Sequence, residues 1–274
     1  MIYLPNEFIY PLIGHQLFKG CVGFWPMKRG SGNKVFDLSG NGNIFTFGAG
    51  AASPTWVFDK FGSCLSFDGG DYAESNNEAN FDFSTSFSII MWFKRGDNSQ
   101  PVRLINKPGD ALFYKNSFAI LFTDDAPVNR IQAYFRNTLN ASQSVYSTAA
   151  MTDTASWHQV AAVWSSSESK WYLYLDGVLD NTASTTGTIL LNDKNVFIGA
   201  ADATNEHYTG LINAPLIYNR FLTASEIALL CSNPLIGFDY DPIELWAAAT
   251  QGGGAPPSNA MPMAMDYYRR LRVA

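Results

Sequence analysis

Large apolar side chains alternate with small or polar ones along most of this chain. From Phe83 to Lys94, Phe87, Ile89, Met91 and Phe93 fall on one face and Ser88, Ile90 and Trp92 on the other. A period of two is the signature of a strand. Ile90 and Trp92 make the second face half apolar, which predicts an inner or ligand-facing position. Ser156–Trp164 and Trp171–Asp180 alternate in the same way, and the latter breaks at Asp176-Gly177, a tight hairpin signal. Side by side, these segments predict the middle of a wide antiparallel sheet. Residues 20–27, Cys64–Tyr72 around a Gly-Gly turn, Val102–Asn106, Ser117–Thr123, Arg130–Arg136, Asn195–Gly199 and Gly210–Ile217 extend the series. Short strands separated by turn signals form the pattern of a β-sandwich or barrel. Asp37-Leu-Ser-Gly-Asn-Gly-Asn43 is a turn cluster whose residues tolerate positive φ. One helix is predicted. Thr223-Ala-Ser-Glu226 is a capping box leading into Ile227-Ala-Leu-Leu230, with Ile227 and Leu230 turned inward.

The two ends break the pattern. Residues 1–19 form an arm with many apolar positions, and residues 236–274 form an extension containing a Gly/Pro-rich stretch. Between them, residues 20–235 make one domain. Apolar side chains in extended segments need cover, and aromatic anchors of this kind serve as interface residues. Phe8, Ile9, Phe18, Ile243, Leu245, Trp246, Tyr267, Tyr268, Arg269 and Arg270 are therefore expected to contact copies of this chain or other subunits of a larger assembly.

Composition narrows the class. Hydrophobic residues make up 47% of the 274, which is ample for a core, while charged residues make up only 15%, against roughly 25% in soluble domains. Neutral polar loops on a β framework fit that balance. The net charge of -6 gives no basic surface for nucleic acid, and no run of apolar residues predicts a membrane span. The N-terminal residues lack the basic and apolar regions of a signal peptide. Cys21, Cys64 and Cys231 have no Cys-x-x-Cys spacing; reduced core thiols are expected, with a Cys21–Cys64 or Cys21–Cys231 bridge as the alternative.

Several motifs in order resemble the laminin-G-like branch of the concanavalin A-like lectin/glucanase superfamily. They are Gly23-Phe-Trp-Pro-Met27, Asp37–Asn43, Phe61–Tyr72, Phe83–Phe93, Trp157-His-Gln-Val-Ala161, Leu173–Val178 and Gly210–Thr223. The resemblance implies an all-β fold: a two-sheet antiparallel β-sandwich, or jelly roll, here with one short C-terminal surface helix. It also implies a module that binds rather than cuts, of the kind found in adhesion proteins, glycan-binding appendages and phage virions. The chain departs from that pattern at Asn213-Ala214-Pro215, where relatives often carry Asp-Glu, and at Ile44, where relatives often carry His.

No residue pattern for catalysis stands out. The Glu-x-Asp-x-Glu strand motif of the superfamily's hydrolases is absent, His15, His158 and His207 are scattered, and no Gly-x-Ser-x-Gly occurs. No cofactor is expected, with calcium as the one metal to consider, held by Asp37 with Asn41 or by Asp68 with Asp71. For a glycan, Trp56, Tyr114, Asn205 and Tyr208 are the candidate stacking and hydrogen-bonding residues. The expectation is a non-enzymatic structural or surface protein, a subunit of a virion or extracellular filament. A lectin-like adhesion module that binds surface glycans is the alternative, and a remnant glycoside hydrolase stands behind both.

Overall fold

The computed structural model describes residues 9–11, 15–60, 62–109 and 117–240, with 9–11 and 238–240 described through their backbone. Two eight-stranded antiparallel sheets face one another. The strands of the front sheet run in the spatial order β12 (Ser142–Tyr146), β11 (Arg130–Arg136), β10 (Phe118–Thr123), β9 (Val102–Lys107), β16 (Phe197–Ile198), β7 (Ala73–Ser75), β4 (Phe45–Phe47) and β3 (Lys34–Val35). The back sheet runs β15 (Val178–Ser184), β14 (Lys170–Leu175), β13 (His158–Ser165), β8 (Phe87–Arg95), β17 (Thr209–Tyr218), β6 (Gly62–Asp68) and β5 (Thr55–Asp59), with β2 (Cys21–Phe24) also paired to β17. The two-sheet sandwich predicted above is therefore the fold.

The alternation in the sequence sorts side chains as expected. Phe87, Ile89, Met91 and Phe93 point between the sheets and meet Leu104, Ile120, Phe122, Ala133 and Phe135 from the front sheet. Phe87 lies at the centre of an aromatic group, stacked on Phe83 at 5.1 Å and edge-on to Trp171 at 5.5 Å. The hairpin after β14 turns at Asp176 (φ 49°) and Gly177 (φ 80°), consecutive positive angles that match the right-handed twist of its strands.

Ile90 and Trp92 point the other way, yet they do not face a ligand. With Ala161, Val163, Tyr174, Leu216 and Tyr218 they form the outer face of the back sheet, and the chain itself covers that face. The helix α1 (Ala224–Ser232) lays Ile227 and Leu230 on it, and Leu17 and Phe24 from the N-terminal side complete the layer. The capping box forms as the sequence predicts: Glu226 N–H donates to Thr223 Oγ1, and Thr223 N–H donates back to Glu226 Oε2 at 2.9 Å.

The arm and the extension meet each other. β1 (Ile9–Pro11) pairs antiparallel with β18 (Phe238–Tyr240). Phe18, Leu235 and Ile236 are partly buried against the covered back-sheet face. Phe8, Ile243, Leu245, Trp246, Tyr267, Tyr268, Arg269 and Arg270, and the side chain of Ile9, lie outside the described residues. The three cysteines are free thiols, Cys21 and Cys64 buried, so neither alternative bridge forms.

Candidate functional site

Among the described residues, the outer face of the front sheet has no covering layer like that of the back sheet. Strand β11 presents Arg130, Gln132, Tyr134 and Arg136 on this side, because alternate residues of a strand share a face. Register places Leu121 of β10 between Gln132 and Arg103 of β9, and Ser142 of β12 opposite Arg136. These strands floor a groove of about 490 Å³, walled at one side by Asn205 and Glu206 and at one end by Asp124 and Asp125. Leu121, Tyr134 and Ala119 form a small buried apolar patch in the floor.

Arg103 is the electrostatic centre of this face. Only 6% exposed, it donates from Nε to Glu206 Oε2 at 2.5 Å, and from Nη1 to Tyr134 Oη at 2.8 Å and Asn106 Oδ1 at 3.2 Å. Burial opposes its charge, but Tyr134 and Glu206 outweigh that and hold its pKa above the ordinary arginine range. The same residues pin the wall. Arg103 N–H donates to the Glu206 carbonyl at 3.0 Å, and Asn106 Nδ2 donates to the Ala201 carbonyl at 2.5 Å. Glu206 is thereby held at φ 52°, a left-handed angle uncommon for a residue other than glycine. Beside this cluster, Gln132 Nε2 donates to Ser144 Oγ and Tyr146 Oη, and the Arg130 guanidinium lies over the Tyr146 ring at 4.7 Å. A fixed set of donors and acceptors around a small apolar floor suits a polyhydroxylated ligand.

The residues singled out from sequence fall in several places. Asn205 lines the groove, where its Nδ2 donates to Asp202 Oδ1 at 2.9 Å. Trp56 is on β5 of the other sheet, packed on Phe47 and donating from Nε1 to the Gly32 carbonyl at 2.7 Å. Tyr208 is not a sugar platform. It is 0% exposed and stacked between the sheets against Phe122, immediately before β17. Tyr114 lies outside the described residues. Arg103, Gln132, Tyr134, Arg136 and Glu206 were not among the predicted residues.

The calcium candidates fall in two separate turns, and in the second the Asp68 and Asp71 side chains stand close to one another. Asp37 Oδ1 accepts from the N–H groups of Phe24 and Ser39, and its Oδ2 accepts from Ser39 Oγ and Asn43 N–H. A cation placed there would face hydrogens, so this carboxylate fits a turn anchor better than a metal ligand. Burial nevertheless pushes its pKa up. Asn41 donates from Nδ2 to the Cys21 and Val22 carbonyls. Asp71 Oδ2 accepts from Asp68 N–H at 2.9 Å, and Asp68 Oδ1 accepts from Gly70 N–H at 2.9 Å. Among the described residues, no three His, Cys, Asp or Glu side chains cluster as metal ligands would. No helix among them is long and apolar enough to cross a membrane.

Solved structures similar to this chain include binding domains. The binding domain of Paraclostridial Mosquitocidal Protein 1 superimposes with a TM-score of 0.63 at 14% identity, covering 81% of this chain and 54% of that one. The receptor binding domain of botulinum neurotoxin D gives 0.61 at 15% identity, covering 81% and 54%. Domain 4 of AbnA, a GH43 extracellular arabinanase from Geobacillus stearothermophilus solved with arabinotriose, gives 0.60 at 14% identity, covering 77% and 98%. The chain thus spans about half the length of the toxin domains and nearly all of the arabinanase domain. At such identities the likeness is one of fold. No curated protein matches the sequence. A family model does match residues 67–228, more than half of the chain, and with the jelly roll in place the chain belongs to the concanavalin A-like lectin/glucanases superfamily.

Proposed function

We propose that this protein is a non-catalytic, lectin-like module that binds a surface glycan along the outer face of its front sheet. The observation that carries the reading is the groove itself. It is built on rigid strands, its polar groups are held by one another, and Arg103, Tyr134 and Glu206 keep fixed positions at its centre. The solved arabinanase domain, bound to arabinotriose and matched over 98% of its length, supports an oligosaccharide as ligand. Glu206 is engaged by Arg103, so it is poorly suited to deliver a proton to a leaving group.

The expectation from sequence, an assembly subunit, rested on apolar ends that need cover. β1 pairs with β18, and Leu17, Phe18, Leu235 and Ile236 pack on the chain's own back sheet, which lessens that need. The test is a glycan array with isothermal titration of the hits. Tyr134→Ala and Gln132→Ala should each weaken binding about tenfold, given roughly one or two lost contacts. Binding that survives both changes, or the absence of any glycan hit, would refute the reading.

A further inference from the structure

The groove is electrically lopsided, and its two ends can be told apart by what partners each charge. Arg103, at the middle, is neutralised by Glu206. Asp124 and Asp125 follow Thr123, which pairs with Arg130, so they stand at the turn between β10 and β11. Arg136 lies six residues along β11 from Arg130, roughly 20 Å away by strand rise. Its setting differs from that of Arg103. Nη1 donates to the Asn140 carbonyl at 2.7 Å, which fixes the plane of the guanidinium. Its Nε is buried with no hydrogen-bond partner; the same holds for Arg130 Nε, but the Arg130 guanidinium lies over the Tyr146 ring and stands at the end that carries Asp124 and Asp125. Among the described residues no carboxylate forms an ion pair with it. Ser142, directly across the strand pair, adds a hydroxyl beside it.

A half-buried cation with fixed orientation and, among the described residues, no ion pair is incomplete, since a partly desolvated charge is costly unless it is paired. The group that completes a guanidinium best is a planar carboxylate, which accepts two parallel hydrogen bonds. We infer that the groove binds its glycan in one direction, with a carboxylate-bearing sugar residue, a uronate, at the Arg136 end and neutral sugar residues running toward Asp124 and Asp125. The two aspartates repel a second anion, so they set polarity rather than add affinity. This inference rests on the glycan-binding reading above and adds the chemical class and the direction of the ligand.

The test titrates the ¹⁵N-labelled chain with sodium glucuronate, its methyl ester and sodium acetate, alongside an array of oligosaccharides in matched uronate and carboxyl-reduced pairs. Glucuronate should shift the amides of residues 134–142, the ester and acetate should do so at least about tenfold more weakly, and the effect should fade as salt is raised. Arg136→Gln should abolish the shift while leaving the rest of the spectrum in place, and Arg136→Lys should recover only part of it, because an ammonium cannot form the bidentate pair. Equal responses to glucuronate and its ester, or shifts centred on Arg130, would overturn the inference. Array hits that ignore the carboxylate yet depend on Tyr134 would overturn it too, while sparing the glycan-binding reading. A blank array with no glucuronate shift would overturn both.

Discussion

Breaking the Arg103–Glu206 pair should loosen the groove wall, and the cost can be worked from its partners. Arg103→Met removes a buried cation, leaves Asn106 Oδ1 short of a donor and takes one donor from Tyr134 Oη. Both residues are buried, at 8% and 0% exposure. An orphaned buried acceptor costs about 1–3 kcal/mol. Glu206, its side chain a quarter exposed, can turn to water and adds little. Relief of the cation's own desolvation offsets part of the loss, so the net expectation is about 2–4 kcal/mol. Glu206→Ala does the opposite and strands the cation. A fully buried stranded charge costs about 3–5 kcal/mol. Here Tyr134 and Asn106 still hold Arg103 and water can enter at Glu206's position, which brings the figure to about 2 kcal/mol. The double variant Arg103→Met/Glu206→Ala should cost less than the sum, with a coupling of about 1 kcal/mol or more. Urea unfolding of the four proteins measures this directly, provided the slope m stays constant. Strict additivity within about 0.5 kcal/mol would refute the claim that the two residues act as one unit.

Two further outcomes test the covered face of the back sheet and the core. The Glu226 carboxyl is nudged upward by burial, but Arg220 and the Thr223 cap outweigh that and hold its pKa below the ordinary glutamate range. A depressed carboxylate stabilises the fold above its unfolded value, about 4.3, and that contribution is lost as pH falls through the folded value. Glu226→Gln should therefore cost about 1 kcal/mol at neutral pH, and the gap should close in acid. Urea midpoints across pH check this, and a gap that persists in acid contradicts it. Burial pushes the Cys64 thiol up to about 12 and Cys21 higher still. A thiol reagent on the native protein should mark the half-exposed Cys231 first, and the other two only on unfolding. Mass mapping of labelled peptides reads the order, and native labelling of Cys64 at the rate of Cys231 would count against the packing described.

Long strands were legible because period two holds over many residues. β8, β13 and the β14–β15 hairpin could be placed from the alternation and the Asp-Gly turn alone, and α1 from its capping box. Strands β3 and β4 span two or three residues each and carry no period, so their place at the far side of the front sheet comes from tertiary pairing. The double-sided apolar character of β8 was legible as well, but not what covered it. Ile90 and Trp92 look the same in sequence whether a ligand or the chain's own helix lies over them. Only the topology that returns α1 and Leu17 to that face decides between the two.

The groove was harder to see because its defining contact is not local: Arg103 and Glu206 stand 103 residues apart. A local trace did exist. Arg130, Gln132, Tyr134 and Arg136 occupy every second position of one strand, a polar row that could mark either a solvated face or a site. Side-chain chemistry separates those two cases. On a plainly solvated face, arginines extend into water and need no fixed partner. Here Arg103 is almost wholly enclosed, with three side chains gathered around it. Arg136, on the same row, has its plane fixed by a carbonyl and no ion pair among the described residues. A face that satisfies one arginine so completely and gives another no ion pair among the described residues is asymmetric, and that asymmetry is what the proposed uronate ligand would read.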